Sequence, residues 1–366
     1  MSGRILFFAD ASSVHTQRWV GEMAARGFEC FVATRRPAAV AGAREVIAVR
    51  PGAGEAGWLL ALPEVQRVAR QVAPAWLHGH YVTSYGLWAA VAARAWRAPL
   101  VLTAWGSDLL VTPRAPGWRG AAMAALVGWS LRQATLATAD AADVLAEMRR
   151  YGTRARLEEV LWGADVERIR PAAPAPGFEI ASLRNWEPQY GIATVLRAFA
   201  RLCEQRPQAG AVLHLLGGGP QEPALRALAE ELNLGQAVRF TGRVGESAMA
   251  GVLQRARVSV SVPASDATSV SVLESMAAGL PVVASDLPAN RQWLASELLV
   301  PAGDVASLAA ALVRLFDEPD FARAQGERNR ALAVQRASRR AQMDRMAVLY
   351  ESLRLTAPQP AGAGAA

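Results

Sequence analysis

The sequence predicts an α/β protein of two doubly wound, Rossmann-like domains, each with a parallel sheet covered on both faces. Three observations carry that reading. The chain has 366 residues, 52% of them apolar, too long for one ordinary core and enough for two domains of roughly 150–200 residues each. Short apolar runs alternate with helical stretches in both halves, the rhythm of βαβ units. Between the halves stands P-A-A-P-A-P-G, Pro171–Gly177, with the composition of a linker. The expected division is a first domain over 1–170, a second over 171–345, and a helix end with a disordered tail over 346–366. The two sheets are expected to face a central cleft, because ligands of such sheets bind outside the carboxyl ends of the strands.

The elements follow in order. Arg4–Ala9 and Phe28–Thr34 read as strands around a helix over Thr16–Arg26, with Gly27 as its stop. A helix over Pro63–Val72, a strand over Ala75–His80, a helix over Ser84–Trp96 and a strand over Leu100–Ala104 come next. In the second half, strands over Glu179–Ser182, Ala211–Leu216, Val238–Thr241, Val258–Val262 and Pro281–Ala284 alternate with helices. Those helices are Gly191–Arg206, Ala224–Leu232, Gly245–Arg255 and Ser269–Ala278. Leu308–Phe316 and Asp320–Leu353 are helical, and Thr356–Ala366 is an Ala/Gly/Pro tail with nothing to bury.

Charge and cysteine content narrow the function classes. All 39 basic residues are arginine, so any phosphate contact made by a side-chain cation must use a guanidinium. The first 170 residues hold 20 Arg against 14 Asp and Glu, a balance of +6, and the remainder carries only +1 of the total +7. A basic first half suits an anionic membrane face or a phosphorylated acceptor. A nucleic-acid partner is not expected, because no basic run is interleaved with aromatics in a known module. Two distant cysteines, Cys30 and Cys203, suggest neither a disulfide framework nor a metal site. No apolar run reaches the roughly 20 residues of a membrane span, and the apolar run near the N-terminus ends too soon for a signal peptide. The expected location is cytoplasmic, with peripheral attachment to the inner face of the plasma membrane as an extension. The stretch Pro116–Arg132, apolar over Gly120–Leu131 with Arg119 and Arg132 at its ends, reads as a core helix or as an interfacial one.

The segment V-P-A-S-D-A-T-S-V-S-V-L-E-S-M-A-A-G-L-P-V-V-A-S holds the strongest chemical signal. A buried strand enters a small polar loop, a helix starts near Ser269, and its free N–H groups favour phosphate. Ser269, Val270 and Ser271 supply those amides, Glu274 lies just over a turn inside, and Asp266 stands eight residues before it on the loop. The segment resembles the signature of family-4 retaining glycosyltransferases of GT-B fold, which have Glu, seven residues, Glu, then A-M-A-x-G-x-P-V-V. Asp266 takes the first Glu position and Glu274 the second. The resemblance implies that Glu274 holds the donor's ribose and Asp266 the sugar.

Other motifs extend the match over nearly all of residues 178–304. In I-A-S-L-R-N-W-E-P-Q-Y-G, Arg184 fits the Arg that holds the donor diphosphate in similar enzymes. Tyr190 stands where they carry a second cation, Lys, and its hydroxyl or Asn185 is a candidate partner for phosphate. Gly217, Gly218 and Gly219 follow a strand, where glycine admits close backbone approach to a ligand. Gly242 and Arg243, at the end of the next strand, are candidates for the base edge. The first half matches less closely. Ser12 and Ser13 replace a Gly-Gly loop, and the missing G-x-G-x-x-G argues against a dinucleotide dehydrogenase. Trp105 stands where relatives have His, followed by Gly106 and Asp108. His15 and Arg18 at the first helix, and His80 at a strand end, are the remaining candidates for the acceptor side.

The leading expectation is transfer of a hexose or N-acetylhexosamine from a UDP- or GDP-sugar to a glycan or lipid-linked acceptor. The resemblance implies retention of configuration, with no metal or other cofactor. Arg184, Asp266, Asp108, His15 and His80 are the candidate catalytic set, and Ser12, Ser13, Arg18, Trp105 and Gly106 flank the acceptor. A nucleotide-sugar epimerase on the same fold and a non-catalytic nucleotide-sugar-binding member of the family are the alternatives.

Overall fold

The computed structural model describes residues 3–50, 57–173 and 175–356. The chain divides into two compact units, 1–161 with 342–366, and 162–341. The expected boundary at 170/171 therefore differs from the observed one, and the chain passes between units twice. The Pro-rich stretch lies within the second unit, where the Ala175 amide donates to the Arg255 carbonyl at 3.0 Å. Thr356 closes the last helix, and the expected disordered tail beyond it lies outside the described residues.

The first unit holds seven strands: β1 (Arg4–Phe8), β2 (Glu29–Thr34), β3 (Ala43–Ala48), β4 (Trp76–His80), β5 (Leu100–Ala104), β6 (Leu136–Ala139) and β7 (Arg156–Glu159). They run parallel in the order β3-β2-β1-β4-β5-β6-β7. The strand order reverses between β1 and β4, the point where doubly wound sheets open a crevice for ligands. β1, β4 and β5 are almost wholly buried, as expected of strands covered on both faces.

The same rule explains the elements the sequence reading omits. β3 (A-R-E-V-I-A) and β7 (R-L-E-E) are edge strands with charged, part-exposed residues, so they lack an apolar run. β6 (L-A-T-A) is only four residues, two of them alanine.

The second unit holds β8 (Glu179–Ser182), β9 (Val212–Leu216), β10 (Val238–Gly242), β11 (Val258–Ser261), β12 (Val282–Ser285) and β13 (Leu299–Val300). Their order is β10-β9-β8-β11-β12-β13, again parallel, with the switch between β8 and β11. Its core joins β8, β9 and β11 to helices Ile192–Gln205 and Val305–Asp317, with Trp186 and Phe199 inside.

The expected helix over Asp320–Leu353 is two helices, Pro319–Arg336 and Arg339–Thr356. The break has a tertiary cause. The Ala164 amide donates to Ala337 at 2.8 Å and the Arg339 amide donates to Ala164 at 2.9 Å, a short parallel bridge that takes these groups out of the helix ladder. Gly163, at φ +74°, allows the approach, since a Cβ there would stand 2.7 Å from the Ala337 carbonyl.

Helix Arg339–Thr356 carries Tyr350 into the core of the first unit. The Tyr350 hydroxyl bonds His78 on β4, whose other ring nitrogen lies 2.7 Å from the Thr103 hydroxyl. Both nitrogens of this fully buried ring are thus engaged, and burial holds its pKa well below the ordinary histidine value. Tyr350→Phe leaves a buried ring nitrogen without its partner. It is expected to destabilise the first unit by about 1–3 kcal/mol, read as a lower urea midpoint by tryptophan fluorescence.

Candidate active site

In the second unit the polar residues gather just past the carboxyl ends of β8 and β11, at the switch point. Arg184, 9% exposed, follows β8. Its guanidinium pairs with the Asp266 carboxylate at 2.7 Å, donates to the Ser269 hydroxyl and lies 3.3 Å from the Ser271 hydroxyl. It also stacks over the Tyr190 ring at 4.4 Å. Tyr190 therefore flanks the cation with its ring face. Ser269 is the N-cap of helix Val270–Ala277 but makes no side-chain cap, because its hydroxyl serves Arg184 and Ser271. One guanidinium and the open amides of one helix start thus converge, the arrangement that binds phosphate.

Asp266 is part-buried, and burial raises its carboxyl pKa while Arg184 pulls it down. Glu274, 4% exposed, lies inside the helix with its carboxylate 3.9 Å from Arg339. Asn185 is exposed and points to no partner among the described contacts.

The glycine loop has a structural reason for its composition. A Cβ at Gly217 would lie 2.2 Å from the Arg184 carbonyl, and one at Gly219 would lie 2.4 Å from the Trp186 carbonyl. Two of the three glycines thus admit the 184–186 loop, which carries the arginine, where the sequence reading has them admit a ligand. The Trp186 amide donates to Gly218 at 3.1 Å and the Gly217 amide to Gly242 at 2.9 Å, so three loops lock together. Gly218 faces the exposed Arg243 side chain.

A cavity of about 610 Å³ lies at the opposite end of this sheet, lined by Phe178, Ala256 and Leu280. It is roomy, but the convergent charge is at the carboxyl ends. Chemistry follows the charge.

In the first unit, His15, Trp105, Trp19 and His80 cluster at the β1/β4 switch. His15 stacks on Trp105 with centroids 4.7 Å apart, and His80 packs edge-on against Trp105 at 5.7 Å. Burial and Arg18 lower the His15 pKa to about 4, and burial with His15 lowers that of His80 to about 3. Both rings are neutral at pH 7. His80 is 1% exposed and lies 3.5 Å from the Thr16 hydroxyl through Nδ1. It therefore supports Trp105 and His15 from within and presents almost no surface of its own, unlike the acceptor-side contact expected of it. Ser12 bonds Asp10, and Ser13 begins helix Val14–Ala25.

Asp108, expected among the catalytic residues, has both carboxylate oxygens engaged by its own surroundings. Oδ2 accepts from the Val82 amide at 2.7 Å and Oδ1 from the Trp105 amide at 3.0 Å. The carboxylate clamps the loops after β4 and β5 together, with Gly106, at φ +92°, making the turn. Its role is to position Trp105.

Residues 4–141 match the family described as glycosyl transferase 4-like, and residues 179–318 match glycosyl transferases group 1. The chain belongs to the family-4 glycosyltransferases of GT-B fold. Within the family, it is 32% identical over 192 residues to the phosphatidyl-myo-inositol mannosyltransferase of Mycolicibacterium smegmatis, covering 50% of this chain and 46% of that one. It is 29% identical over 189 residues to the lipopolysaccharide core biosynthesis glycosyltransferase LpsD of Rhizobium meliloti, covering 48% and 52%. The chain spans about half the length, or less, of the curated relatives it matches. Anabaena HepE, solved in complex with UDP-glucose, shares the fold with a TM-score of 0.79 at 17% identity, covering 96% of this chain and 100% of that one.

Three residues of the clusters, Thr16, Trp19 and Arg339, escaped the sequence reading. Thr16 sits in a helix already expected, but its contact with His80 needs the fold. Arg339 lies 65 positions beyond Glu274, among many other arginines, and nothing in its local pattern marks it.

Asp108 has a pH signature. Burial raises its carboxyl from 3.8 to about 6. The folded state therefore holds a proton that the unfolded state has lost between about pH 4 and 6. The Asp108 contribution to stability is greatest below pH 4, falls as pH rises to 6 and is level above. His15 and His80 act in the opposite sense, since their lowered values remove stability as pH falls from 6.5 towards 4. The stability difference between wild type and Asp108→Asn isolates the aspartate. It is expected to shrink from pH 4 to pH 6 and then stay constant in urea titrations.

Proposed function

We propose that this chain is a retaining, metal-independent glycosyltransferase that moves a hexose or N-acetylhexosamine from a UDP- or GDP-sugar to a glycan or lipid-linked acceptor. The observation that carries the reading is the convergence of Arg184 with the start of helix Val270–Ala277 at the β8/β11 switch, with Glu274 a turn inside. Arg184 and the amides of Val270 and Ser271 hold the diphosphate, and the fixed positive charge stabilises it as it departs. Glu274 accepts hydrogen bonds from the ribose hydroxyls. Asp266 exchanges Arg184 for hydroxyls of the transferred sugar, and Gly242 and Arg243 border the base. His15 and Trp105, with Asp108 and His80 holding them in place, meet the acceptor on the first unit. The mannosyltransferase and core-glycosyltransferase relatives, and the fold shared with a UDP-glucose complex, support this class of donor.

Titration calorimetry with UDP and GDP tests the donor site. One of the two is expected to bind, Arg184→Ala to weaken it about 10- to 100-fold, and Glu274→Gln by a similar factor. Failure of both nucleotides to bind the wild type refutes the reading. Proton NMR of the first-formed product reports the anomeric configuration, and unchanged turnover in EDTA is the expected result.

A membrane-bound acceptor is the second element of the proposal. Seven large hydrophobic residues are exposed among those described, and Val14, Leu59, Leu60, Val111 and Trp118 all lie in connections leaving the carboxyl ends of β1, β3 and β5. Trp118, 75% exposed, opens helix Trp118–Gln133, which buries Val127 and Leu131 at its other end. Exposed Arg50, Arg114 and Arg119 belong to the connections after β3 and β5, and exposed Arg35 and Arg36 leave the carboxyl end of β2 beside them in the sheet order, the mixture that binds an anionic bilayer. No helix among the described residues is long and apolar enough to cross a membrane. Sedimentation with phosphatidylglycerol vesicles is expected to retain the wild type. Trp118→Ala combined with Leu60→Ser is expected to lower the bound fraction at least fivefold, with phosphatidylcholine vesicles binding neither.

A further inference from the structure

Glu274 is the most enclosed acidic side chain of the proposed donor site, with 6% of its side chain exposed. A carboxylate so far from water keeps its charge only beside a cation or several donors. Arg339 is a cation within reach. Its guanidinium nitrogen is 3.9 Å from Glu274 Oε1, and another nitrogen of the same group is 3.5 Å from Glu246 Oε1. Arg339 is itself 7% exposed, with its guanidinium carbon 5.3 Å from the Trp162 ring centroid. The bridge between Ala164 and Ser338 fixes the backbone beneath it.

We propose that Arg339 is the positioning residue for the ribose-binding carboxylate of Glu274. The inference rests on the donor-site reading above. At 3.9 Å the attraction is electrostatic, too long to spend a lone pair on a direct hydrogen bond. Arg339 therefore acts on the Glu274 carboxylate through its charge, across a gap with no direct hydrogen bond of its own. Arg184 and Asp266, at 2.7 Å, are in direct contact and make the contrast. Glu246 holds Arg339 from the other side and is itself paired with Arg168 at 3.2 Å, so the guanidinium is held between two acids. Its effect on substrate is exerted through Glu274.

The test compares UDP and GDP with their 2′,3′-dideoxy forms, which lack the hydroxyls assigned to Glu274. Affinities are measured by calorimetry on the full chain. The wild type is expected to prefer the ribose form of its nucleotide by at least tenfold, and Glu274→Gln to lose most of that preference. Arg339→Met is expected to reduce the preference to below threefold while changing dideoxynucleotide affinity less than twofold. Arg339→Lys, which keeps the charge, is expected to restore most of it. Arg339→Gln, which keeps a polar end on a shorter stem, is read in the same way if the Met variant does not fold. A folded Arg339 variant with the full wild-type preference overturns the proposal, as does equal loss of both nucleotide forms, the mark of a merely structural role. If Glu274→Gln keeps the preference, the ribose assignment falls and this inference falls with it. If Glu274→Gln loses it and the Arg339 variants do not, only this inference falls.

Discussion

Arg184 is a guanidinium set at the switch point of the second sheet, almost out of water, and the loops around it are shaped by what such a group requires. Its charge is met by Asp266, its flat face by Tyr190 and its N–H groups by Ser269 and Ser271. The carbonyl of its own residue approaches Gly217 so closely that no side chain fits there. Three segments, at Tyr190, at Gly217 and at 266–271, therefore answer to one side chain. A cation so well satisfied by protein groups is also preorganised, since little rotamer freedom is left to lose when an anion arrives.

The first unit solves a different problem, that of placing polar rings in a dry sheet. His78 and His80 lie on a strand with no exposed residue, and burial keeps both in the neutral form. His78 is anchored to Thr103 and Tyr350, whereas His80 is held more loosely, with Thr16 at 3.5 Å. Above them, Asp108 ties the turn carrying Trp105 to the turn after β4. The first unit therefore offers an aromatic and imidazole cluster set over the buried Asp108 carboxylate, beside a rim rich in arginine. The second unit offers a guanidinium paired with a carboxylate beside the start of a helix.

Much of this was legible in the sequence because parallel strands buried on both faces are continuous apolar runs. L-V-L-T-A and V-V-A-S stand out for that reason, and R-L-E-E on an edge does not. The candidate residues of the second unit were legible because Arg184, Asp266, Ser269 and Glu274 lie in short segments whose order matches a family signature. What escaped depends on distant pairing. R-A-S-R-R has neither Gly nor Pro to end a helix, and the break at Ala337–Ser338 is imposed by Ala164. The clamp made by Asp108 is equally invisible, because an acidic residue after a strand carries the same local pattern whether it faces a ligand or two backbone amides.

The bond between His78 and Tyr350 joins positions 272 residues apart. A ribosome works from one end, so the first sheet emerges with β4 complete and an imidazole edge still uncovered. It must wait until the whole second unit has been synthesised before its last helix is available. Contacts of such long sequence separation are slow to close, and an early unit left unfinished is exposed to wrong partners during that interval. In this chain the order of translation and the order of packing are opposed. The second unit, contained in one uninterrupted segment, is able to finish before the one that precedes it.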